Sequence, residues 1–187
     1  MKPTKSERTR VTIVDAAARL FRRDGFDKTS VAALMGAAGL THGGFYAHFR
    51  DKNELLIAAL ERAFDQSEQN LLEGKLEGLE GAPWREHAAG RYMAMSHRDQ
   101  PAEGCPLPAL GAEVSRAPRR VRNVFAARLE RLVSRIEARL GGPSKEARQE
   151  ALRSLALWAG AQLLARAVPD RALAEEILSA ARGPLTR

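Results

Sequence analysis

Apolar residues recur at the three-to-four-residue spacing of amphipathic helices through most of the chain. No segment alternates apolar and polar positions as a strand does, so the pattern predicts an all-α protein of about nine helices. We divide it into a three-helix helix-turn-helix domain at residues 1–52 and a larger helical domain at residues 53–187. No run of about 18 apolar residues occurs, and we predict no membrane span.

The stretch from Thr29 to Lys52 predicts two short helices joined by a tight turn, followed by the start of a third helix. Thr29 or Ser30 is suited to cap the first helix by accepting a hydrogen bond from an unpaired backbone N–H. Gly39 follows at the position where a positive φ ends a helix, and Thr41 is the natural N-cap of the second helix. Asp51 caps the third helix.

The second short helix has two unlike faces. Phe45 and Phe49 are four residues apart and face the first helix. The other face carries Thr41, His42, Gly43, Tyr46 and His48. Such a pair is typical of a helix-turn-helix whose second helix enters the major groove of DNA, although a plain helical hairpin is the alternative on spacing alone.

Positive charge is concentrated at the N-terminus. Residues 1–52 hold ten Lys and Arg against five Asp and Glu, a balance of +5, and the remaining residues hold twenty against eighteen, a balance of +2. Phosphate contacts need this charge where the helix-turn-helix lies. For any single cluster, an inert basic surface is the alternative.

The helix-turn-helix and the helix before it resemble the N-terminal DNA-binding domain of the TetR family of transcriptional regulators. The residues that carry the resemblance are Ala16-Ala17, Leu20-Phe21, Gly25-Phe26, Thr29-Ser30-Val31, Ala37-Ala38-Gly39-Leu40, Phe45-Tyr46, His48-Phe49 and Lys52-Asn53-Glu54-Leu55. The resemblance implies a ligand-responsive regulator, most often a repressor, that binds an inverted-repeat operator as a homodimer and is released by a small apolar or amphipathic effector. It implies no catalysis.

Nine residues are the candidate DNA contacts. They are Thr29, Ser30, Thr41, His42, Gly43, Gly44, Tyr46, His48 and Lys52. We expect Thr41, His42 and His48 to reach base edges, while the hydroxyls and Lys52 contact phosphates. The two glycines allow the backbone to approach the duplex closely. An architectural DNA binder without an effector is a competing hypothesis.

The last two predicted helices are the candidate dimer interface, because their small residues allow close approach and two copies would form a four-helix bundle. The residues are Leu155, Ala156, Ala159, Gly160, Leu163, Leu173, Ile177 and Leu178. The alternative is that these helices form the core of a monomer.

The resemblance also implies an effector pocket in the C-terminal domain. Its candidate residues are aromatic, sulfur-containing or aliphatic, with one lone amide: Trp84, Tyr92, Met93, Met95, Cys105, Leu110, Phe125, Leu129, Trp158 and Gln162. Such a mixture suits a mostly apolar pocket with few polar anchors. Ordinary core packing is the alternative for each residue.

Cys105 is the only cysteine, so the chain has no internal disulfide. It precedes a predicted helix start, and a redox- or electrophile-sensing repressor acting through Cys105 is an alternative function. An enzyme that pairs this thiol with His87 or His97 is a weaker hypothesis, since no motif fixes their geometry. We expect no metal or cofactor, because no phosphate loop or metal-ligand spacing appears. The N-terminus has no signal-peptide pattern, and we expect a cytoplasmic protein.

Three expectations concern the helices outside the helix-turn-helix. The first helix begins at Ser6 or Glu7, after a mobile basic arm. Another helix begins near Pro83 and runs to about Arg98. A row of arginines on one helix is expected to be a solvated face with partial pairing to Glu130 and Glu137. The row consists of Arg128, Arg131, Arg135 and Arg139.

Overall fold

The computed structural model describes residues 3–72 and 76–183, and every regular element in those ranges is helical. The elements are α1 (Lys5–Asp24), α2 (Val31–Ala37), a 3-10 helix (His42–Ala47), α3 (Lys52–Leu72), α4 (Gly81–Tyr92), α5 (Met95–Asp99), a 3-10 turn (Pro101–Glu103), α6 (Pro106–Val114), α7 (Arg119–Arg139), α8 (Lys145–Ala167) and α9 (Arg171–Ala180). The prediction of an all-α fold is confirmed. In these two ranges, no helix is both long and apolar enough to traverse a membrane.

Helix α1 begins earlier than predicted, because Thr4 forms a capping box. The backbone N–H of Glu7 donates to the Thr4 hydroxyl at 3.2 Å, and the N–H of Thr4 donates to the Glu7 carboxylate at 2.6 Å. The expected start at Ser6 or Glu7 is therefore wrong. Gly25 ends the helix with a φ of 88°, a conformation that glycine adopts without steric cost.

The helix predicted to run to Arg98 is broken after Tyr92. The Tyr92 carbonyl accepts hydrogen bonds from Gln162 Nε2 at 2.5 Å and from His97 Nδ1 at 2.7 Å. Ala94 is extended, with φ −71° and ψ 143°, and α5 begins at Met95. Side-chain donors thus replace the backbone partner that a continuous helix would have supplied.

The chain divides into two compact units: Met1–Asp65 with Pro101–Ala126, and Gln66–Gln100 with Ala127–Arg187. The first unit has a core made by α1, α2, the 3-10 helix and α3 together with α6 and the start of α7. Its buried members include Ile13, Phe21, Leu34, Met35, Phe45, Phe49, Leu55, Leu56, Leu60, Leu110 and Val121. Packing therefore groups residues 101–126 with the helix-turn-helix. The functional boundary after residue 52 stays a prediction.

The second unit contains α4, α5, α8, α9 and the greater part of α7. Trp84, Met93 and Trp158 are buried there. Arg98 closes the end of α8, since its guanidinium donates to the carbonyls of Ala165 at 2.7 Å and Val168 at 3.0 Å. The terminal carbonyls of that helix thereby gain charged partners.

The arginine row on α7 is not a solvated face, and that expectation is wrong. Glu68 of α3 has a side chain 1% exposed, and its oxygens lie 2.8 Å from Arg128 Nη2 and 2.6 Å from Arg135 Nη1. Arg131, 57% exposed, lies 3.6 Å from the same carboxylate. The expected partners Glu130 and Glu137 pair instead with an arginine of α8. A buried carboxylate needs compensating donors, and α7 supplies them.

Candidate nucleic-acid interface and effector site

The segment predicted to read DNA, His42–Ala47, is a 3-10 helix rather than an α-helix. We call it the recognition segment. Its turns are closed by hydrogen bonds between residues three apart in sequence. For example, the His48 N–H donates to the Phe45 carbonyl at 3.0 Å. Two adjacent glycines at its start weaken the α-helical alternative.

Two phenylalanines anchor the recognition segment to the first unit, as predicted. Phe45 is 1% exposed and Phe49 is 2% exposed, and their ring centroids are 5.7 Å apart. Each fully buried aromatic side chain contributes on the order of 2–3 kcal/mol of hydrophobic stabilisation. Burial of both rings fixes which side of the segment faces outward.

The outward side carries most of the predicted contact residues. Thr41, His42, Gly43 and Tyr46 are exposed, and the Tyr46 side chain is the most open at 68%. Its ring stands edge-on to Phe45, with centroids 5.2 Å apart. Gly44 and His48 are half-buried. The structure thus brings these residues together on one surface, with a hydroxyl, an imidazole and a phenol available to a partner.

Thr29 is placed inward, unlike its neighbour. It is 3% exposed, and its hydroxyl donates to the Gly25 carbonyl at 2.6 Å. Ser30 is exposed and caps α2, accepting a hydrogen bond from the N–H of Ala33 at 3.1 Å. Thr29 therefore lacks the exposure that a direct phosphate contact requires, and Ser30 retains it.

Lys52 is also engaged within the first unit. Its ammonium group donates to the Phe26 carbonyl and lies 4.2 Å from the centroid of the Phe26 ring. Desolvation lowers the pKa of Lys52, partly offset by the charges of Asp27 and Glu113. Lys52, predicted to contact a phosphate, thus binds the turn between α1 and α2 instead.

Two arginines lie beside the recognition segment, and Arg50 was missing from the predicted contacts. The Arg10 guanidinium lies over the Phe49 ring, 4.7 Å from its centroid. The side chain of Arg50 is 93% exposed, directly after Phe49 in the chain. Position beside the phenylalanine anchor was the signal available for Arg50, whereas the contact of Arg10 depends on the packing of α1.

Residues 101–126 brace the helix-turn-helix at several points. Arg22, 3% exposed, donates to the carbonyls of Ala18 at 2.8 Å and Gly104 at 2.7 Å. Burial lowers the pKa of Arg22 to about 10, which leaves it charged at neutral pH. Arg120 donates to Asp51 at 2.5 Å.

Asp51 also caps α3 by accepting a hydrogen bond from the N–H of Glu54 at 2.8 Å, as the sequence predicted. The hydrogen bond from Arg120 is the main reason that the pKa of Asp51 lies below its ordinary value, and the hydrogen bond from the Glu54 N–H adds to it.

The predicted effector residues fall into two groups. In the second unit, Tyr92 and Trp158 have ring centroids 5.7 Å apart, and Gln162 donates to the Tyr92 carbonyl. Trp84 and Met93 are fully buried in the same unit, where Met95 and Leu129 are half-buried. In the first unit lie Cys105, Leu110 and Phe125.

The first-unit members have other roles in packing. Leu110 belongs to the helix-turn-helix core, and the Phe125 ring centroid lies 5.5 Å from that of Phe64. Cys105 is buried and precedes α6. Within the described part of the chain, Trp84 Nε1 and Gln162 Oε1 are buried without a hydrogen-bond partner.

The predicted dimer residues are also divided. Leu155 and Leu178 are 3% and 1% exposed within a single chain. Ala159 and Ile177 are half-buried, while Ala156, Gly160, Leu163 and Leu173 are exposed. Two further leucines of α8, Leu152 and Leu164, are 45% and 55% exposed and were missing from the prediction.

Comparison with known proteins bears on the first unit most strongly. Residues 13–59 match the family described as bacterial regulatory proteins, tetR family. Residues 13–59 thus carry the N-terminal domain of the tetR family. The HTH-type transcriptional regulator AcrR of Shigella flexneri is 38% identical over 73 residues, which are 39% of this chain and 32% of AcrR. The chain thus spans about a third of the length of this relative.

Solved structures extend the likeness to the fold of the whole chain. A TetR-family regulator from Cytophaga hutchinsonii superposes with a TM-score of 0.79 at 23% identity, covering 97% of this chain and 95% of that one. AibR, solved in complex with isovaleryl coenzyme A and operator DNA, superposes with a TM-score of 0.65 at 20% identity, covering 94% and 96%. At such identities the likeness shows the fold alone.

Proposed function

We propose that this protein is a DNA-binding transcriptional repressor of the TetR family that contacts its operator through the outward side of the recognition segment. The observation that carries the proposal is the burial of Phe45 and Phe49, which turns His42 and Tyr46 toward solvent. A polar surface on a short helix, backed by an apolar anchor in a basic domain, suits entry into the major groove.

Within this surface, we assign base reading and phosphate binding to different residues. Thr41 and His42 read base edges, because they stand at the exposed start of the segment. Tyr46, Ser30, Arg10 and Arg50 contact phosphates. The glycines keep the backbone close to the duplex, and His48 contributes at the rim. Thr29 and Lys52 act indirectly, by holding the turn between α1 and α2.

The repressor works as a homodimer on an inverted repeat in this proposal. Two recognition segments about 34–36 Å apart would meet successive major grooves of one duplex face. The exposed leucines and small residues of α8 and α9 support pairing with a second copy, since contiguous exposed apolar surface favours association. Leu163→Glu is expected to shift the protein to a monomer in sedimentation and to weaken operator binding. A dimer of undiminished stability would argue against this interface.

A small apolar or amphipathic effector releases the repressor from DNA. Its proposed site lies in the second unit around Trp84, Tyr92, Trp158 and Gln162, where a buried indole N–H and an amide oxygen have no hydrogen-bond partner in the described chain. Effector and operator would bind different conformations, coupled by about 1–3 kcal/mol. The AibR complex, which holds both a ligand and operator DNA, is a precedent in this fold.

Mobility-shift titration tests the proposal with DNA selected by the wild-type protein from random duplexes and with fragments upstream of its own gene. Retarded bands that persist against competitor DNA are expected. His42→Ala should weaken them, and Glu86→Gln, an exposed site in the second unit, should not. Failure to retard any duplex at low salt would contradict the proposal.

A repressor of this kind acts on the chromosome, in the cytoplasm, and requires no catalysis.

A second candidate function uses Cys105 as a sensor of oxidants or electrophiles. One observation favours it: Cys105 is buried directly after Gly104, whose carbonyl accepts a hydrogen bond from the Arg22 guanidinium at 2.7 Å, and a nearby guanidinium stabilises a thiolate. Treatment with hydrogen peroxide should then abolish operator binding by the wild-type protein and spare Cys105→Ser. Equal sensitivity of both proteins would dismiss this alternative.

A further inference from the structure

The turn between α1 and α2, residues 25–27, is held from two sides by opposite charges. The Glu113 carboxylate of α6 accepts hydrogen bonds from the backbone N–H groups of Phe26 at 2.8 Å and Asp27 at 3.4 Å. The ammonium of Lys52, from α3, donates to the carbonyl of Phe26. Charge-assisted hydrogen bonds of this kind are about twice as strong as neutral ones.

The approach of Glu113 depends on a glycine at the start of the turn. Gly25 has a φ of +88°, and a Cβ built on it would lie 2.8 Å from Glu113 Oε1. A side chain at this position would therefore displace the carboxylate. The backbone of the turn favours glycine at residue 25, and the Glu113 carboxylate accepts from the N–H groups that follow. The position of the turn is therefore fixed by Glu113 as well as by the local sequence.

This turn leads directly to the surface proposed to bind DNA. The Thr29 hydroxyl donates to the Gly25 carbonyl at 2.6 Å, which sets the entry of the chain into α2. On α2, the Met35 methyl group lies 3.5 Å from the position of a Cβ on Gly44 in the recognition segment. A displacement of the turn is thus passed through α2 to the recognition segment, because close-packed cores transmit small shifts.

We infer that Glu113 is a positioning residue for operator recognition, fixing the turn between α1 and α2 and through it the placement of α2 against the recognition segment. This inference rests on the proposed function. Glu113 contacts no DNA in this account. Its role is to limit the conformations that the free helix-turn-helix adopts. Less conformational entropy is then lost when the protein binds its specific site.

Electrostatics alone predicts that the loss of this carboxylate raises the affinity for DNA, whereas a positioning role predicts that it lowers the affinity for the specific duplex. Glu113 is a negative charge in a unit that is basic at its N-terminus, and removing it strengthens attraction to every duplex by the same factor. A positioning role lowers affinity for the specific duplex only. The ratio of specific to non-specific affinity therefore separates the two explanations, and a change in net charge cannot mimic the expected result.

The experiment compares Glu113→Gln with the wild-type full-length protein. Its probes are the duplex that the wild-type protein selects from random DNA and a scrambled duplex of equal length, titrated at two salt concentrations. For Glu113→Gln we expect affinity for the selected duplex to fall about fivefold or more, with affinity for the scrambled duplex unchanged or higher. Glu103→Gln is the matched control, because Glu103 lies in the same unit and its side chain, 47% exposed, pairs with Arg19.

An unchanged affinity ratio in Glu113→Gln, or an equal fall in Glu103→Gln, would overturn the inference. Glu113→Asp keeps the charge but shortens the side chain by one methylene, and it decides the matter if the glutamine variant does not fold. We expect the aspartate variant to lose part of the specificity ratio, and full retention would count against positioning. If the wild-type protein selects no duplex, the proposed function itself fails.

Discussion

Two polar surfaces of the molecule have opposite relations to solvent. In the first unit, the recognition segment directs His42 and Tyr46 outward over a buried aromatic anchor. In the second unit, Arg128 and Arg135 of α7 converge on a buried glutamate. The sequence of α7 carries more charge than that of the recognition segment, yet much of it is consumed within the protein. Net charge alone therefore does not identify a nucleic-acid surface.

The difference depends on what lies opposite each surface. On the recognition segment, only the inner side is apolar and buried, through Phe45 and the neighbouring Phe49. The arginine row instead faces Glu68, whose charge is costly to bury without donors. Burial of a single carboxylate converts a row of surface cations into structural side chains. Substitutions on the two surfaces should accordingly affect different quantities, stability on α7 and DNA affinity on the recognition segment.

The largest effect is expected from Glu68→Gln. Removing the buried charge leaves Arg128, whose side chain is 13% exposed, facing a neutral amide. We expect the free energy of unfolding to fall by about 3 kcal/mol, measured by urea denaturation. Glu130→Gln, which removes an exposed partner of Arg148, should have little effect. A denaturation midpoint unchanged by Glu68→Gln would show that the cluster is not structural.

Next in size are Tyr46→Ala and His42→Ala in the recognition segment. Each removes an exposed side chain, so the free energy of unfolding should change by no more than about 0.5 kcal/mol. Operator affinity should fall by about 1–3 kcal/mol for His42→Ala, and less for Tyr46→Ala. Fluorescence anisotropy with the selected duplex measures the affinity. A large loss of stability without loss of affinity would reverse the comparison.

A smaller effect is expected within the arginine row itself. Arg131 is 57% exposed and lies 3.6 Å from Glu68, so Arg131→Ala should cost less than about 1 kcal/mol of unfolding free energy. Arg128→Ala should cost several times more, because Arg128 is the least exposed arginine of the cluster. Equal losses for the two variants in urea denaturation would contradict the assignment of burial as the cause.

The smallest effect concerns the pH dependence of stability through Asp51. Its folded-state pKa is lowered, chiefly by the hydrogen bond from Arg120, so its contribution is present above the unfolded-state pKa and is lost as pH falls through the folded-state pKa. The side chain of Arg120 is 51% exposed and that of Asp51 is 44% exposed, so the contribution of this pair to the free energy of unfolding is small. Thermal melts of wild-type protein and Asp51→Asn should differ at neutral pH and converge in acid. A constant difference would exclude this linkage.

Local sequence was sufficient to predict much of the fold and part of the candidate interface. The spacing of Phe45 and Phe49 predicted the anchored face, and Asp51 was correctly identified as a helix cap. These features depend on residues within a few positions of one another, where helical periodicity and capping chemistry apply.

The larger errors share one physical cause, a partner distant in sequence, whereas the early start of α1 and the inward position of Thr29 depend on partners within four residues. Lys52 is engaged by Phe26, and α4 ends where Gln162 donates to the Tyr92 carbonyl, 70 positions away. The α7 arginines meet a glutamate about 60 positions earlier. No local pattern indicates which carboxylate or carbonyl will be opposite a given donor, since that depends on how the helices pack.

Hydroxyl-radical footprinting of the protein, with and without the selected duplex, tests the central claim most directly. The claim is that the outward side of the recognition segment lies against DNA. Tyr46, 68% exposed in the free protein, should become protected from oxidation together with His42 when the selected duplex is added, and much less so with a scrambled duplex. Continued oxidation of Tyr46 at its free rate, while DNA is bound, would contradict the account.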